Sequence, residues 1–204
     1  MKINMSNGKL GFTFKEKMSG GFALEETDPA VGAEKGKADV LTMHGAITID
    51  DLEAFRADPN HAGVLDVRMD WPPFGNDLAA PGGVFNLFSP SGDPKLKLMV
   101  YEWGLEHNGQ KHYFAGHKNV RVHPLYDLWK DTTTLYTQLH QGLDKTGPVV
   151  GAGIISLGAV ELMQMVGTFK ALNAKSAEES ALAVGEFGRF FLGELWDTYV
   201  RKAG

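Results

Sequence analysis

The sequence predicts a mainly β protein: about eight short strands closed into an antiparallel, lipocalin-like barrel, followed by one or two C-terminal helices. Three observations carry this. Apolar and polar residues alternate with period two in stretch after stretch through the first three quarters of the chain, which places successive side chains on opposite faces of a strand. Clusters of Gly, Pro and Asn separate those stretches with no long helical pattern between them, as an antiparallel meander requires. From Ala159 onward the period becomes helical. Eight strands can close on themselves, which removes exposed edges and leaves an interior that fits one small ligand. A two-sheet sandwich is the alternative the pattern leaves open.

In chain order, Lys9–Lys15 sets Leu10, Phe12 and Phe14 on one face. Asp39–Ile49 sets Leu41, Met43, Gly45, Ile47 and Ile49 against Thr42, His44 and Thr48, and Asp50–Arg56 reads as a helical turn. Val64–Trp71 sends Leu65, Val67, Met69 and Trp71 one way and Asp66, Arg68 and Asp70 the other. Val84–Phe88, Lys95–Leu105 and Gln110–Val122 follow, the last two joined by Asn108-Gly109. Both of those residues tolerate the positive φ of a type I′ turn, so this is the strongest hairpin signal in the chain. Asp131–His140 and Val149–Leu157 complete the set, with other connections at Ser19–Gly21, Trp71–Gly75, Pro81–Gly83, Ser89–Gly92 and Lys145–Pro148.

Ala159–Leu172 then has apolar residues at helical spacing, and Ser176-Ala-Glu-Glu179 reads as a capping box. Behind it Val184, Phe187, Phe191, Leu195 and Tyr199, widened by Phe190 and Trp196, form an apolar stripe to about Lys202. Such a stripe must be covered, by the barrel wall, by one barrel mouth or by a partner. No repeat or linker interrupts the chain, which predicts one domain over residues 1–204, the barrel at 9–157 and the helices at 159–202.

Bulk properties exclude several classes. A net charge of -5 with scattered lysines and arginines argues against a nucleic-acid surface. The absence of cysteine excludes disulfides, thiol catalysis and thiolate metal sites. The N-terminus lacks the apolar core of a signal peptide, and no apolar run approaches the ~20 residues of a membrane span. These features predict a soluble, cytoplasmic protein.

The first candidate site is the segment 131–140. As a strand it puts Thr132, Thr134, Tyr136, Gln138 and His140 on one face, opposite Thr133, Leu135, Thr137 and Leu139. A face of hydroxyls, an amide and an imidazole suits a wall that touches the polar part of a ligand. The second candidate is the group Tyr101, Glu102, Trp103 and Lys118. Glu102 lies inside a strongly apolar strand and must be paired or protonated if buried, with Lys118 as the expected partner across the hairpin.

Other motifs carry less. Gly151-Ala-Gly153 imitates a dinucleotide-binding turn, but no strand–helix–strand unit with an acid about 20 residues on surrounds it, so no cofactor is expected. The seven histidines do not converge by spacing, so no metal site is expected either. Asp131 and His140 lie roughly 30 Å apart on one strand, too far to act together, and Asp131 is expected to tie the strand start.

Gly116-His-Lys118, Asp127-Leu-Trp-Lys-Asp-Thr-Thr-Thr-Leu-Tyr136 and Phe190–Tyr199 resemble a non-flavin segment attached to some bacterial oxidoreductases. Those are cholesterol-oxidase-like members of the glucose–methanol–choline family. Phe12–Gly20 and Gly82–Phe88 look similar in the same way, so the resemblance covers roughly residues 9–201. It implies an accessory module near sterol, lipid or other hydrophobic-alcohol chemistry. No catalytic residues come with it, and the flavoprotein half has no counterpart in this sequence. The leading expectation is a non-catalytic module binding a sterol or fatty-acyl molecule inside the barrel. One rival is a small-barrel isomerase or cyclase in which Glu102, Tyr136 or His140 moves a proton. The other is a subunit that docks on an oxidoreductase chain, or on a second copy, through the Phe187–Tyr199 helix.

Overall fold

The computed structural model describes residues 8–121 and 128–196. The elements run β1 (Gly11–Leu24), α1 (Pro29–Lys35), a 3-10 turn (Gly36–Ala38), β2 (Val40–Ile49), α2 (Leu52–Ala57), β3 (Ala62–Trp71), β4 (Gly75–Pro90), β5 (Leu96–His107) and β6 (Gln110–Arg121). Then come α3 (Leu128–Thr133), β7 (Thr134–Gln141), β8 (Val149–Ser156), α4 (Ala159–Gly167), β9 (Lys170–Leu172) and α5 (Ala177–Trp196). Each strand from β1 to β8 bonds antiparallel to the next, and β1 bonds back to β8. The eight-stranded antiparallel barrel expected from the alternation is therefore present and closed, and the sandwich is excluded.

The expected inward faces of β2 and β3 are inside: Leu41, Met43, Ile47, Leu65, Met69 and Trp71 are fully buried. The Asn108-Gly109 hairpin forms with φ of 51° and 74°, as its turn type demands. The helical turn after β2 is α2, capped by the Asp51 carboxylate, which accepts from the amides of Glu53 and Ala54.

Several boundaries differ from the sequence reading. Ser19–Gly21 is not a turn but part of β1, which runs on to Leu24. A Cβ on Gly20 would stand 2.1 Å from the Ile154 carbonyl oxygen, and one on Gly21 2.1 Å from that of Ala33. These glycines allow close backbone packing instead of reversing the chain. Pro81–Gly83 is likewise inside β4, where the ladder to β3 shifts register between Leu65 and Val67. Ala159–Leu172 is not one helix: α4 ends at Gly167, and Lys170–Leu172 turns back as β9 along Gly11–Thr13. Val122 and residues 197–202, including Tyr199, lie outside the described residues.

The segment expected to be a strand from Asp131 begins instead as α3. The Thr132 and Thr133 hydroxyls donate back to the carbonyls of Leu128 and Trp129, four residues earlier, at 2.7 and 2.5 Å. That bonding holds a helical turn against the strand preference of consecutive threonines. Asp131 does tie a strand, but as an acceptor from the Arg121 amide at the end of β6.

The helices close the barrel. Helix α1 packs on the outside of β8 and β1. Helix α5 covers one mouth: Phe187 stacks on Phe12 at 4.2 Å, Phe190 meets Phe55 edge-on at 5.6 Å, and Phe191 lies 5.5 Å from Phe88. The aromatic stripe of α5 is thus covered from within at these positions. Its start carries the expected cap, with the Glu179 amide donating to the Ser176 hydroxyl at 3.1 Å. Among the described residues no helix is long and apolar enough to cross a membrane.

Candidate functional site

Strand β1 sets the geometry of the site. Its far half bonds to β8 from Ser19 to Leu24, and its first residues, Gly11–Thr13, bond to β9. Between these stretches the edge of β1 meets helix α4 instead of a strand, fastened where the Lys15 amide donates to the Thr168 hydroxyl at 2.8 Å. Under this seam lies a cavity of about 380 Å³. Its walls are apolar strand residues such as Phe14, Phe85, Leu87 and Met99. Its roof is helical: Trp129 and Thr132 on α3, Leu162 and Met165 on α4, Phe187 and Phe191 on α5.

Besides Thr132 and Thr133, whose hydroxyls bond within α3, three polar side chains enter this apolar space: Glu16 from β1, Tyr101 from β5 and Lys118 from β6. The side chains of Glu16 and Lys118 are each only 2% exposed, and Lys118 Nζ stands 3.7 Å from Glu16 Oε2. That is an ion-pair distance, too long for a hydrogen bond. Lys118 Nζ donates to the Tyr101 hydroxyl at 3.2 Å and lies 4.7 Å from the centre of its ring. Glu16 Oε1 is buried and has no hydrogen-bond partner. The Glu16–Lys118 pair is therefore buried in apolar surroundings with one carboxylate oxygen left without a hydrogen bond, a costly arrangement.

Burial shapes these groups. It pushes the Tyr101 phenol well above its ordinary value, and the charge and hydrogen bonding of Glu16 push the same way. Burial lowers Lys118, with Glu16 opposing that shift.

Of the residues expected from sequence, the structure brings Tyr101, Lys118 and Thr132 to this cavity, Thr132 from a helix and not a strand. Trp103 points inward but into the packed end of the barrel, stacked on Phe114 at 4.9 Å with its indole N–H unbonded. The remaining five face outward: Glu102 on β5, and four on β7, where the residues turned inside are Leu135, Thr137 and Leu139. Thr134 is half-buried on that outer face. Tyr136 pairs across the strands with His117, ring centres 6.3 Å apart. Gln138 donates to the Thr27 carbonyl at 2.8 Å, and the His140 ring meets the Gly147 carbonyl at 2.8 Å beneath the β7–β8 loop.

Glu102 is also external. It accepts from the Tyr113 hydroxyl and from Lys145, each at 2.7 Å, which corrects the expected Glu102–Lys118 pair. Burial, and next the bond to Glu102, raise the Tyr113 phenol far above its ordinary value. Glu102, Tyr136 and His140 are therefore not placed to move a proton on a molecule in the lumen.

The true partner of Lys118 is Glu16, which the sequence reading does not single out. The signal is present: Phe12, Phe14, Glu16 and Met18 alternate on one face. The strand expected at Lys9–Lys15 stops one residue short of Glu16. A larger groove of about 590 Å³ lies outside the wall, between α4 and strands β1 to β4. Apart from Glu16, which borders both spaces, its charged side chains Lys15, Lys17, Asp66 and Arg68 are exposed and Glu161 is half-buried, and Arg68 is paired with Asp77. The inner cavity with its buried charges is the better site. Among the described residues no three His, Asp or Glu side chains converge to hold a metal ion. Comparison of the chain with protein-family models, curated proteins and solved structures gives no match.

Proposed function

We propose that this barrel is a binding module for a small, mostly apolar molecule of fatty-acyl or sterol type, held in the cavity beneath α3, α4 and α5 with one polar end against Glu16, Lys118 and Tyr101. The observation that carries the reading is the unpartnered Glu16 Oε1 beside Lys118 in an otherwise apolar enclosure. A few convergent polar groups in an apolar cavity are what small-molecule sites present. The volume of about 380 Å³ is near the lower end of the ~300–1,000 Å³ range of such sites. It favours a medium-length chain over a rigid four-ring skeleton.

Native mass spectrometry of the purified protein, together with thermal unfolding in the presence of ten-carbon chains bearing different polar ends, tests the reading. A ligand at ~100 times its Kd adds about 2.7 kcal/mol, which raises Tm by roughly 5–10 °C for a chain of this size. Protein that carries no molecule and shows no shift with any apolar compound would overturn it.

A further inference from the structure

We propose that Lys118 captures its ligand covalently: the amine condenses with an apolar aldehyde lodged in the cavity, giving an imine whose positive charge Glu16 balances. This rests on the binding reading above and adds the chemical class of the ligand and the bond that holds it.

Lys118 is the one lysine buried among the described residues. Its ammonium has a single hydrogen-bond acceptor, the Tyr101 hydroxyl at 3.2 Å, while Glu16 stands 3.7 Å away. Two opposite charges without close contact are poorly accommodated in an apolar enclosure. Passing one proton from Lys118 to Glu16 leaves two neutral groups and frees the amine lone pair. A lysine desolvated in an apolar pocket is a nucleophile of this kind. The lowered proton affinity of Lys118, caused first by burial, acts in the same direction.

The other two side chains supply what condensation needs. Tyr101 accepts from Lys118, and its own O–H, which leans towards Glu16 when the cavity is empty, can turn to polarise a carbonyl oxygen. Glu16 takes the proton given up by Lys118 and returns it to the departing oxygen through Oε2, the carboxylate oxygen 3.7 Å from the amine. The amine attacks the aldehyde carbon and a C–N bond forms. Protons shift to the former carbonyl oxygen, the C–O bond breaks, and water leaves carrying two of the three ammonium hydrogens. The product is an iminium on Lys118 beside a Glu16 carboxylate, with no net oxidation or reduction. The apolar walls then exclude the water that would hydrolyse it.

The test treats the full chain with a near-equimolar amount of decanal, reduces with cyanoborohydride and locates the decyl group by peptide mass spectrometry. The expected result is labelling of Lys118 ahead of exposed lysines such as Lys15 and Lys111. Labelling at this site should vanish in Lys118→Arg and slow by about 100-fold in Glu16→Gln, the lower range for loss of an acid–base group. The double variant Glu16→Gln/Lys118→Met removes both charges together and serves if the single changes unfold; it should show only surface labelling.

Decyl groups on exposed lysines with Lys118 unmodified in the native protein would overturn the proposal whatever the variants do. Decanol, which cannot form an imine, is measured in parallel. A thermal shift with decanol but no label on Lys118 ends the covalent step and leaves the binding site standing. No shift with alcohol or aldehyde, and no label, ends both.

Discussion

The two ends of the barrel are built from the same eight strands yet have opposite interiors. At the end where β1 finishes, Phe22, Trp71, Trp103 and Phe114 lock together, with Phe22 edge-on to Trp71 at 5.1 Å and Trp103 stacked on Phe114 at 4.9 Å. Phe74 extends the cluster by packing on Trp71 at 4.8 Å and on the His107 ring at 4.3 Å. That end is solid. At the other end the lumen holds Glu16, Tyr101 and Lys118, and helices close it in place of side chains. The difference lies in β1, which is bonded to β8 over the solid end and meets α4 over the hollow one. A barrel of eight strands is just wide enough to be filled by large side chains. It is hollow here because the roof of helices α3, α4 and α5 stands off the wall residues Phe14, Phe85, Met99 and Tyr101.

The contrast can be broken in order of effect. Phe114→Ala removes the centre of the aromatic cluster and should cost about 4 kcal/mol in urea unfolding, whereas Met99→Ala, on the cavity wall, should cost about 2 kcal/mol, because its neighbours already border empty space. Equal costs would mean that the two ends are packed alike. Lys118→Met alone strands the buried Glu16 carboxylate and should cost about 3 kcal/mol, while Glu16→Gln/Lys118→Met should return to within about 1 kcal/mol of the native protein. A double variant as unstable as the single one would show that the pair is not isolated from other charges.

Filling sharpens the comparison. Leu162→Trp, directed from α4 into the cavity, should change stability by less than about 1.5 kcal/mol yet abolish any ligand-induced shift in Tm, whereas Leu139→Phe in the solid end should cost about 1–3 kcal/mol. The smallest effect is on alkaline titration. Tyr101 and Tyr113 both hold their protons above the ordinary value of 10.0, mainly through burial. The folded state then keeps protons that the unfolded chain releases, so this contribution to stability is complete below pH 10 and is lost as pH rises beyond it. Ultraviolet absorbance should show a tyrosine fraction that ionises only with unfolding; ionisation of all five tyrosines in the folded protein would contradict the placement of Tyr101 and Tyr113.

The barrel is legible in the sequence because one-sided burial imposes a strict period of two, plain in β2, β3 and the Asn108-Gly109 hairpin. The site is less so. Parity alone does not say which face of a strand is inside, and β7 shows the consequence: Thr134, Tyr136, Gln138 and His140 look like a lining but face the outer surface, where Gln138 and His140 meet backbone carbonyls. Inward polar residues betray themselves only by keeping step with apolar neighbours, as Glu16 does with Phe14 and Met18. Helix α3 is hidden for another reason. Its threonines prefer strands, and only hydroxyl bonds to carbonyls four residues back reverse that preference. The seam under α4 leaves no trace in local pattern, since it depends on where β8 stops and β9 begins.

That seam has a kinetic meaning. Glu16 and Met165 border both the inner cavity and the outer groove, so the partition between guest and solvent is there only a side chain or two thick. A molecule leaving by that route displaces one short helix, held along β1 by the Thr168 hydroxyl, and no ladder of strand hydrogen bonds has to unzip. Residence time and barrel stability are therefore separable: loosening the Thr168 clasp should hasten release while the melting temperature of the empty protein barely moves.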